Sequence, residues 1–364
     1  PNFMKIAPLM RVFRADSADF DAYLVHTGQH YDEAMKDAFF RQLNIPEPDI
    51  DLGVGSGRHA VQTADIMRRF EQELDDQAPD LVLVVGDVNS TIACALVATK
   101  KDIAVVHVEA GLPRGDRRMP EEINRVLTDQ ISDLLFTTEP DGEINLLREG
   151  VDPNRVHFVG NVMIDTLLAN RVRAIPAAQT LGEIEGFPAD KGDFGLLTLH
   201  RPSNVDSPAV LRRLLETLVE ISERLPLVFP IHPRTRARVK DAGLDSLLAR
   251  ARIGLTEPLG YLQLLGIMEK SRLILTDSGG LQEESTALGV PCITLRENTE
   301  RPITVTAGTN TIVGTDPVKI RSCFDDVMAS GGKAGRIPEL WDGHAAERIA
   351  ARLLEWADRR ADAA

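Results

Sequence analysis

The 364-residue sequence contains only three cysteines, Cys94, Cys292 and Cys323, and they lie far apart in the chain. An odd number of isolated cysteines argues against a disulfide framework, and the lack of a Cys-x-x-Cys pair argues against a thiolate zinc site. We interpret them as small core residues of a cytoplasmic protein. His-Glu-x-x-His spacing, Walker A and Gly-x-Gly-x-x-Gly motifs are also missing, so we predict no metal ion and no cofactor.

Long apolar runs and basic charge are scarce as well. A run such as Leu81–Val85 lasts five residues, far short of the roughly 20 that span a bilayer. The 41 Lys and Arg residues against 55 Asp and Glu give a net charge of −14. This charge disfavours a nucleic acid or an anionic membrane as partner, so an anionic ligand would need local basic residues.

The sequence does contain short β-rich runs that alternate with longer segments of helical period. Its length favours two domains. Continuous apolar runs bounded by Gly, Asp or His predict strands buried on both faces of a parallel sheet. The predicted strands are residues 22–25, 81–85, 103–108, 134–137, 156–159, 194–199, 227–231, 273–276 and 291–295. We therefore predict an α/β chain with two doubly wound, Rossmann-like halves.

A stretch rich in Ala, Pro and Gly, residues 166–192, interrupts the series of strands and marks a linker. We place an N-terminal domain at residues 1–165 and a C-terminal domain at residues 166–364. The last segment, residues 345–364, has the apolar spacing of a helix. Its pattern leaves open which domain the helix packs against.

Polar residues follow several predicted strands directly, at the edge where open α/β sheets bind ligands. Asp87, Glu109, His200 and His232 occupy such positions, and the segment 277–280 follows another strand. Each one alone also has a structural explanation, because Asp often caps a turn and a His can close a strand.

The segment "TDSGGLQEEST" predicts a phosphate site. Ser278, Gly279 and Gly280 allow close backbone approach at a helix start, where free N–H groups suit phosphate. Ser278 could equally be a plain N-cap. Glu283 or Glu284 follows within the first turns and could accept hydrogen bonds from ribose hydroxyls, or merely complement the helix dipole. A nucleoside diphosphate fits this pattern.

Basic residues near these motifs could supply the cationic contacts that the acidic composition lacks. They are Arg301 in "TERPITV", Lys5, His200 and Arg201. For each of them a salt bridge with a neighbouring acid is the structural alternative.

Carboxylates and arginines alternate densely in "HVEAGLPRGDRRMPEEINR", residues 107–125. Pro120 followed by the two acids Glu121 and Glu122 is a favourable helix start. Glu121 and Arg125 are also spaced for an i, i+4 pair. This explanation does not cover Glu109. An acid that leaves a buried strand is costly to desolvate unless it has a purpose.

Taken together, these motifs closely resemble those of bacterial non-hydrolysing UDP-N-acetylglucosamine 2-epimerases, in the same order and over nearly the whole chain. The motifs are "GDVNST", "HVEAGL", "MPEEINR", "SDLLFTTE", "FVGNVMIDTL", "LHRPSNVD", "LTDSGGLQEES" and "TERPITVTAGTN". The resemblance implies a glycosyltransferase-B architecture, with two Rossmann-like domains and an interdomain cleft. It also implies a homodimer that interconverts UDP-N-acetylglucosamine and UDP-N-acetylmannosamine without metal or nicotinamide.

The resemblance assigns roles to residues of this sequence. The substrate-binding set is Lys5, Arg201, His232, Ser278, Gly279, Gly280, Glu284 and Arg301, with the last five at UDP. Proton transfer is assigned to Asp87, Glu109 and Glu121, without an order among the three, and assistance to the leaving diphosphate to His200. Departure of UDP from C1 would acidify the C2 hydrogen, and loss of that proton would give a glycal.

Gln29, His30 and Arg201 match a second, activating substrate site of several family members. His59 stands where the family commonly has an amide, and Pro113 differs in the loop after Glu109. The family also has a strand and Gly-Thr-Arg ahead of the residue that matches Pro1, so we expect a truncated sequence.

Other functions share parts of this pattern. The alternatives are a 2-epimerase of a UDP-sugar modified at C3, C5 or C6, a UDP-sugar glycosyltransferase of the same fold, a hydrolysing epimerase and a silent UDP-sugar-binding protein. A glycosyltransferase would not need the "HVEAG" and "PEE" acids together.

Overall fold

The computed structural model describes residues 2–15, 19–28, 40–112, 119–187, 193–249 and 251–363. The chain divides into two compact units. The first comprises Pro1–Leu168 together with Glu339–Ala364, and the second comprises Ala169–Pro338. All strands of both units pair in parallel, as the apolar runs predict.

Helices separate most of the strands along the chain, and residues 40–43 are also helical. The labelled helices are α1 (Phe3–Phe13), α2 (His59–Gln77), α3 (Asn89–Lys100), α4 (Pro120–Ile131), α5 (Pro140–Arg148), α6 (Val162–Arg171), α7 (Ala177–Gly182), α8 (Pro202–Val205), α9 (Pro208–Ser222), α10 (Pro233–Asp241), α11 (Asp245–Leu248), α12 (Tyr261–Lys270), α13 (Gly279–Leu288), α14 (Pro302–Thr306), α15 (Pro317–Ser330) and α16 (Ala345–Ala363). A 3₁₀ turn covers Pro153–Arg155.

The first unit contains a short strand pair and a four-stranded sheet. The pair is β1 (Val25–His26) with β2 (Ile50–Asp51). The larger sheet follows chain order, and its strands are β3 (Leu81–Val85), β4 (Ala104–Val108), β5 (Leu134–Thr137) and β6 (Val156–Phe158). All residues of β4 are buried, which explains its continuous apolar run.

Successive residues of β4 point into two different parts of the core. Val105 packs in a cluster with Ile66 of α2 and Ala93 of α3. Val106 and Val108 pack in another cluster with Leu9 of α1 and residues of α16. Helices therefore cover both faces of the sheet, and polar groups are left to the strand ends.

The second unit is built on a six-stranded parallel sheet. Its strands are β7 (Gly195–Thr198), β8 (Leu227–Pro230), β9 (Ile253–Thr256), β10 (Leu273–Thr276), β11 (Cys292–Thr294) and β12 (Asn310–Ile312). Their order in the sheet is β12-β11-β10-β7-β8-β9. The chain therefore reverses its direction across the sheet between β9 and β10, which makes β7 and β10 neighbours at a topological switch point.

The last helix departs from the predicted division of the chain. Sequence ranges placed residues 339–364 with the C-terminal domain, whereas they form part of the first unit. Ile349 and Leu353 of α16 pack in the cluster of Leu9. The buried carboxylate of Asp165 also accepts hydrogen bonds from the N–H groups of Ala345 and Ala346, at 3.1 and 2.7 Å. Helical period shows the apolar face of α16, but not the partner of that face.

In the part of the chain that the structure describes, no helix is long and apolar enough to cross a membrane.

Candidate active site

Glu109 lies at the turn that follows β4. Its backbone N–H donates to the carbonyl oxygen of Phe136 at 3.0 Å, and its residue is only 6% exposed. The side-chain Oε2 contacts Nζ of Lys5. Glu109 has a φ of +73°, a conformation that costs a non-glycine residue about 1–3 kcal/mol. The fold therefore holds this carboxylate in a strained position beside a cation.

Gly86 provides the space for this ion pair. A Cβ atom on Gly86 would lie 3.1 Å from Nζ of Lys5 and 3.5 Å from Oε2 of Glu109, and the glycine has a φ of +72°. Asp87 is the next residue and is half-buried. The ends of β3 and β4 thus bring Lys5, Glu109 and the backbone of Asp87 together.

Glu121 lies in the first turn of α4 and is half-buried. Asn124, one helical turn later, donates from Nδ2 to the carbonyl oxygen of Asp87 at 3.0 Å. Residues three positions apart share a helix face, so Glu121 lies on the face of α4 that contacts the Asp87 turn. The predicted pair of Glu121 with Arg125 is wrong in its acid, since Arg125 pairs instead with Glu122 at 3.2 Å.

His200 and Asp277 follow β7 and β10, the two strands at the switch point of the second unit. Oδ1 of Asp277 lies 2.8 Å from Nδ1 of His200. The same carboxylate accepts hydrogen bonds from the backbone N–H groups of His200 and Arg201. Burial opposes ionisation, but these hydrogen bonds lower the pKa of Asp277. A charged Asp277 therefore orients the ring of His200 and leaves Nε2 directed away from it.

His232 is exposed and lies near His200, with their ring centroids 5.9 Å apart. Its Nδ1 accepts a hydrogen bond from the N–H of Arg234 at 3.1 Å, so His232 caps α10. Partial desolvation and the neighbouring His200 lower the pKa of His232. Its structural role as a cap is established by this geometry, and its role in substrate binding stays a prediction.

The predicted phosphate segment begins α13. Ser278 occupies the N-cap position, yet its side chain makes no capping hydrogen bond with the described N–H groups of that helix. Gly279 starts the helix, and a Cβ there would lie 3.3 Å from Oε2 of Glu300. Together with Gly280, these residues present the helix terminus that suits a phosphate group.

The cations near this segment form ion pairs with buried acids. Nε of Arg301 lies 3.1 Å from Oε1 of Glu283. Arg296 makes two hydrogen bonds to Glu300, at 3.1 and 2.7 Å, and Arg201 lies 3.8 Å from Glu300. Because the acids are buried and hold the guanidinium groups in place, the basic side chains are oriented before any ligand arrives.

Glu284 has a different kind of partner from its neighbour Glu283. Tyr261 donates its hydroxyl to Oε1 of Glu284 at 3.0 Å. Burial raises the pKa of Glu284 to about 7. The carboxyl group is therefore held within the unit by a tyrosine rather than by a cation, and it titrates near neutral pH.

Comparisons with known proteins agree with this geometry. The sequence model of the family described as UDP-N-acetylglucosamine 2-epimerase matches residues 13–354. A UDP-N-acetylglucosamine 2-epimerase of Methanocaldococcus jannaschii is 43% identical over 359 residues, which cover 98% of this chain and 96% of the relative. The chain belongs to the UDP-N-acetylglucosamine 2-epimerase family. This membership confirms the family and the enzyme class predicted from the motifs.

Two further likenesses extend the comparison within the family. A crystal structure of the M. jannaschii UDP-GlcNAc 2-epimerase in complex with UDP-GlcNAc and UDP has a TM-score of 0.85, with 42% identity and coverage of 97% of this chain and 96% of that chain. It supports the predicted fold class, two Rossmann-like α/β units of the glycosyltransferase-B type. A UDP-2,3-diacetamido-2,3-dideoxy-D-glucuronate 2-epimerase of Pseudomonas aeruginosa is 39% identical over 317 residues, 86% of each chain.

Sequence reasoning gave no role to several side chains that shape this epimerase. Asp277 and Glu300 lie within quoted motifs, and Asp277 directly follows a strand, whereas Tyr261 lies outside the motifs. His107 and Asp129 were also missed, because their contact joins residues 22 positions apart. Each of these side chains is identified by its partner in space, which the sequence does not display.

Gln29 and His30, the predicted activating-site residues, and Pro113 lie outside the described residues. His59 is described, and its Nδ1 lies 3.0 Å from Nδ2 of Asn89. Within the described ranges, no group of three His, Cys, Asp or Glu residues is arranged to hold a metal ion.

Proposed function

We propose that this chain is a non-hydrolysing epimerase that interconverts UDP-N-acetylglucosamine and UDP-N-acetylmannosamine at C2. The observation that carries the proposal is the buried Lys5–Glu109 pair at the Gly86–Asp87 turn. A unit that only bound UDP would not need a strained carboxylate at this position. Family membership supports the 2-epimerase as the enzyme class.

The proposed reaction begins with cleavage of the bond between C1 and the diphosphate oxygen. UDP leaves with the bonding electrons, and positive charge develops on the sugar. A carboxylate then takes the proton from C2, and the C–H electrons form the C1–C2 double bond of a glycal. Return of a proton to the opposite face of C2 and of UDP to C1 completes the epimerisation.

The first unit supplies the groups for proton transfer in this proposal. Glu109 is the leading candidate because the fold holds it in place beside Lys5. Asp87 and Glu121 provide the further carboxylates, which allows one acid and one base. General acid–base catalysis of this kind typically contributes ~10²–10⁴ in rate.

The second unit supplies the groups that bind UDP. The start of α13 with Ser278, Gly279 and Gly280 suits the phosphates. Arg301, held by Glu283, adds positive charge, and Glu284 accepts hydrogen bonds from the ribose. His200, oriented by Asp277, assists the departing diphosphate with its Nε2 atom.

A 2-epimerase of a modified UDP-sugar is the second candidate. The observation in its favour is the 39% identity to the P. aeruginosa relative, whose name specifies a 2,3-diacetamido glucuronate. A panel of UDP-sugars that differ at C3 and C6 tests it. Turnover of a modified sugar at least ten times faster than that of UDP-N-acetylglucosamine would favour this second candidate.

We also propose a homodimer, for which the helical surface of the first unit provides support. Val61 of α2 and Ile123 and Leu127 of α4 are 56%, 49% and 50% exposed. Exposed apolar groups of this kind are typical of protein interfaces. Light scattering should give twice the chain mass of 40.0 kDa, and Leu127→Glu should shift it toward the monomer. A wild-type protein of 40.0 kDa would contradict the homodimer.

A cytoplasmic location is the compartment that we propose for the enzyme. Cys94, Cys292 and Cys323 are free thiols, and burial raises the pKa of the first two to about 12. Protonated, buried thiols are suited to a reducing compartment. Fractionation of cells that express the full-length protein tests the location, and recovery outside the cytoplasm would contradict it.

Incubation with UDP-N-acetylglucosamine in D₂O tests the proposed reaction directly. NMR should show deuterium entering C2 while UDP remains attached, together with formation of the manno epimer. Release of free sugar would indicate a hydrolysing enzyme. Lack of exchange at C2 would refute epimerisation of this substrate.

A further inference from the structure

His107 is a fully buried residue of β4 whose two ring nitrogens both have a partner. Its Nδ1 lies 2.6 Å from Oδ1 of Asp129, and its Nε2 lies 2.7 Å from the carbonyl oxygen of Gly86. A carbonyl oxygen can only accept, so Nε2 carries a proton that it donates to Gly86. The contact of Nδ1 with Asp129 holds the other side of the ring.

Asp129 is itself held by other groups. Its Oδ2 accepts hydrogen bonds from Nη1 of Arg125 at 2.6 Å and from the N–H of Gly111 at 3.2 Å. The carboxyl group that contacts His107 is therefore fixed through both of its oxygens.

Arg125 extends this cluster to two further acids. It contacts Glu122 and Glu149, at 3.2 and 2.8 Å. The contact of His107 with Asp129 is therefore part of a larger polar network.

This cluster joins the two turns that carry the proposed catalytic acids. Gly86 donates its N–H to the carbonyl oxygen of Val108 at 3.0 Å and accepts from His107, so both of its backbone groups are held on β4. Asp87 is the next residue. At the other turn, the Gly111 N–H is held by Asp129, and its carbonyl oxygen accepts from Asn145 at 3.0 Å. His107 therefore connects the Asp87 turn with the Glu109–Gly111 turn.

We propose that His107 is a positioning residue, held at both ring nitrogens by Gly86 and Asp129, which fixes the spacing of Asp87 and Glu109. It does not touch the reacting atoms in this scheme. Misplacement of a catalytic group by about 1 Å can cost ~10²-fold in rate. The catalytic role rests on the proposed function, whereas the contacts of the ring do not.

A pair of variants separates hydrogen-bond geometry from folding. In His107→Gln the amide can donate to Gly86, but its oxygen then faces the carboxylate of Asp129. In the double variant with Asp129→Asn, the amide introduced at position 129 can donate to the glutamine oxygen at position 107, while its own oxygen still accepts from Arg125 and Gly111. The double variant thus restores each hydrogen bond of the cluster.

We expect His107→Gln to lower kcat roughly 10- to 100-fold with little change in KM, and the double variant to recover most of that loss. Thermal unfolding of both proteins monitors their folding. A folded His107→Gln enzyme with wild-type kcat would overturn the positioning role, as would a folded double variant no better than the single one.

NMR of the wild-type chain with ¹⁵N-labelled histidine provides the readout that does not depend on activity. The His107 signal, assigned by its loss in His107→Gln, should show a proton on Nε2 that exchanges slowly with solvent. A His107 ring without a proton on Nε2 would overturn the contact with Gly86. If the chain fails to epimerise its substrate but shows this proton, the proposed function fails while the link between the two turns stands.

Discussion

The two units of the chain differ in the groups that they hold at comparable positions, the carboxyl ends of parallel strands. In the first unit, the acids Asp87 and Glu121 are half-buried at the turns, and Glu109 is buried beside Lys5. In the second unit, the acids are buried, and the basic groups are the more exposed partners.

Three pairs of the second unit show this arrangement. The side chains of Asp277, Glu283 and Glu300 are at most 6% exposed, against 37% for His200, 30% for Arg201 and 12% for Arg301. A buried group of one sign orients a partner of the other sign toward the ligand. The same sheet edge can therefore serve proton transfer in one unit and diphosphate binding in the other.

The largest effect that tests this difference is expected from Glu109→Gln. The amide keeps the size of the side chain but cannot take a proton from C2. We expect turnover to fall by ~10²–10⁴, measured as deuterium entry at C2. Asp76→Asn, an exposed acid of the same unit, is the matched control and should keep wild-type turnover. A loss of less than a few-fold in Glu109→Gln would remove this acid from the mechanism.

Asp277→Asn should have the next largest effect, roughly 10²-fold on kcat. The asparagine can still accept from backbone N–H groups, but it no longer holds His200 with a charge. His200→Gln should cost a similar amount, and the double variant should cost little more than either single one, because groups that act as a unit are not additive. Losses that multiply in the double variant would show that the two residues act independently.

Loss of the positive charge of Arg301 should weaken UDP binding but should change turnover at saturating substrate little. Arg301→Gln alone would remove a cation from the buried carboxylate of Glu283, so we combine it with Glu283→Gln. Hydrogen bonds to charged groups contribute about 1.5–3 kcal/mol, which corresponds to roughly 10- to 100-fold in the Kd of UDP. Calorimetry measures this constant, and an unchanged Kd in the folded double variant would exclude Arg301 from the UDP site.

The smallest effect concerns pH. The pKa of Glu284 is raised to about 7 by burial, so a ligand hydroxyl that donates to its carboxylate should lower that pKa on binding. UDP affinity should then rise a few-fold as pH increases through 7. Glu284→Gln serves as the reference, because titration of the UDP phosphates is common to both proteins. Identical pH profiles would contradict a ribose contact at Glu284.

Much of this arrangement could be predicted from the sequence because strands and their ends leave local signals. The apolar run before Glu109 predicts a buried strand, and the structure places that strand at Ala104–Val108. The helix start at Pro120 is likewise confirmed. These features depend on residues that are adjacent in the chain.

Other features depend on which elements become neighbours in space. Asp277 reaches His200 only because β10 pairs with β7, an order that apolar runs do not specify. The helical period of α4 allowed Arg125 to pair with an acid three or four residues away, and buried packing selected Glu122. The domain against which α16 packs could not be predicted for the same reason, since the pattern of an amphipathic helix shows its apolar face but not the element that this face contacts.

Titration of UDP into the Glu109→Gln variant tests the division of labour between the units most directly. If the first unit handles the proton and the second unit holds the nucleotide, this variant should lose at least ~10² in turnover and keep the wild-type Kd for UDP. A UDP affinity that falls in parallel with turnover would contradict the account.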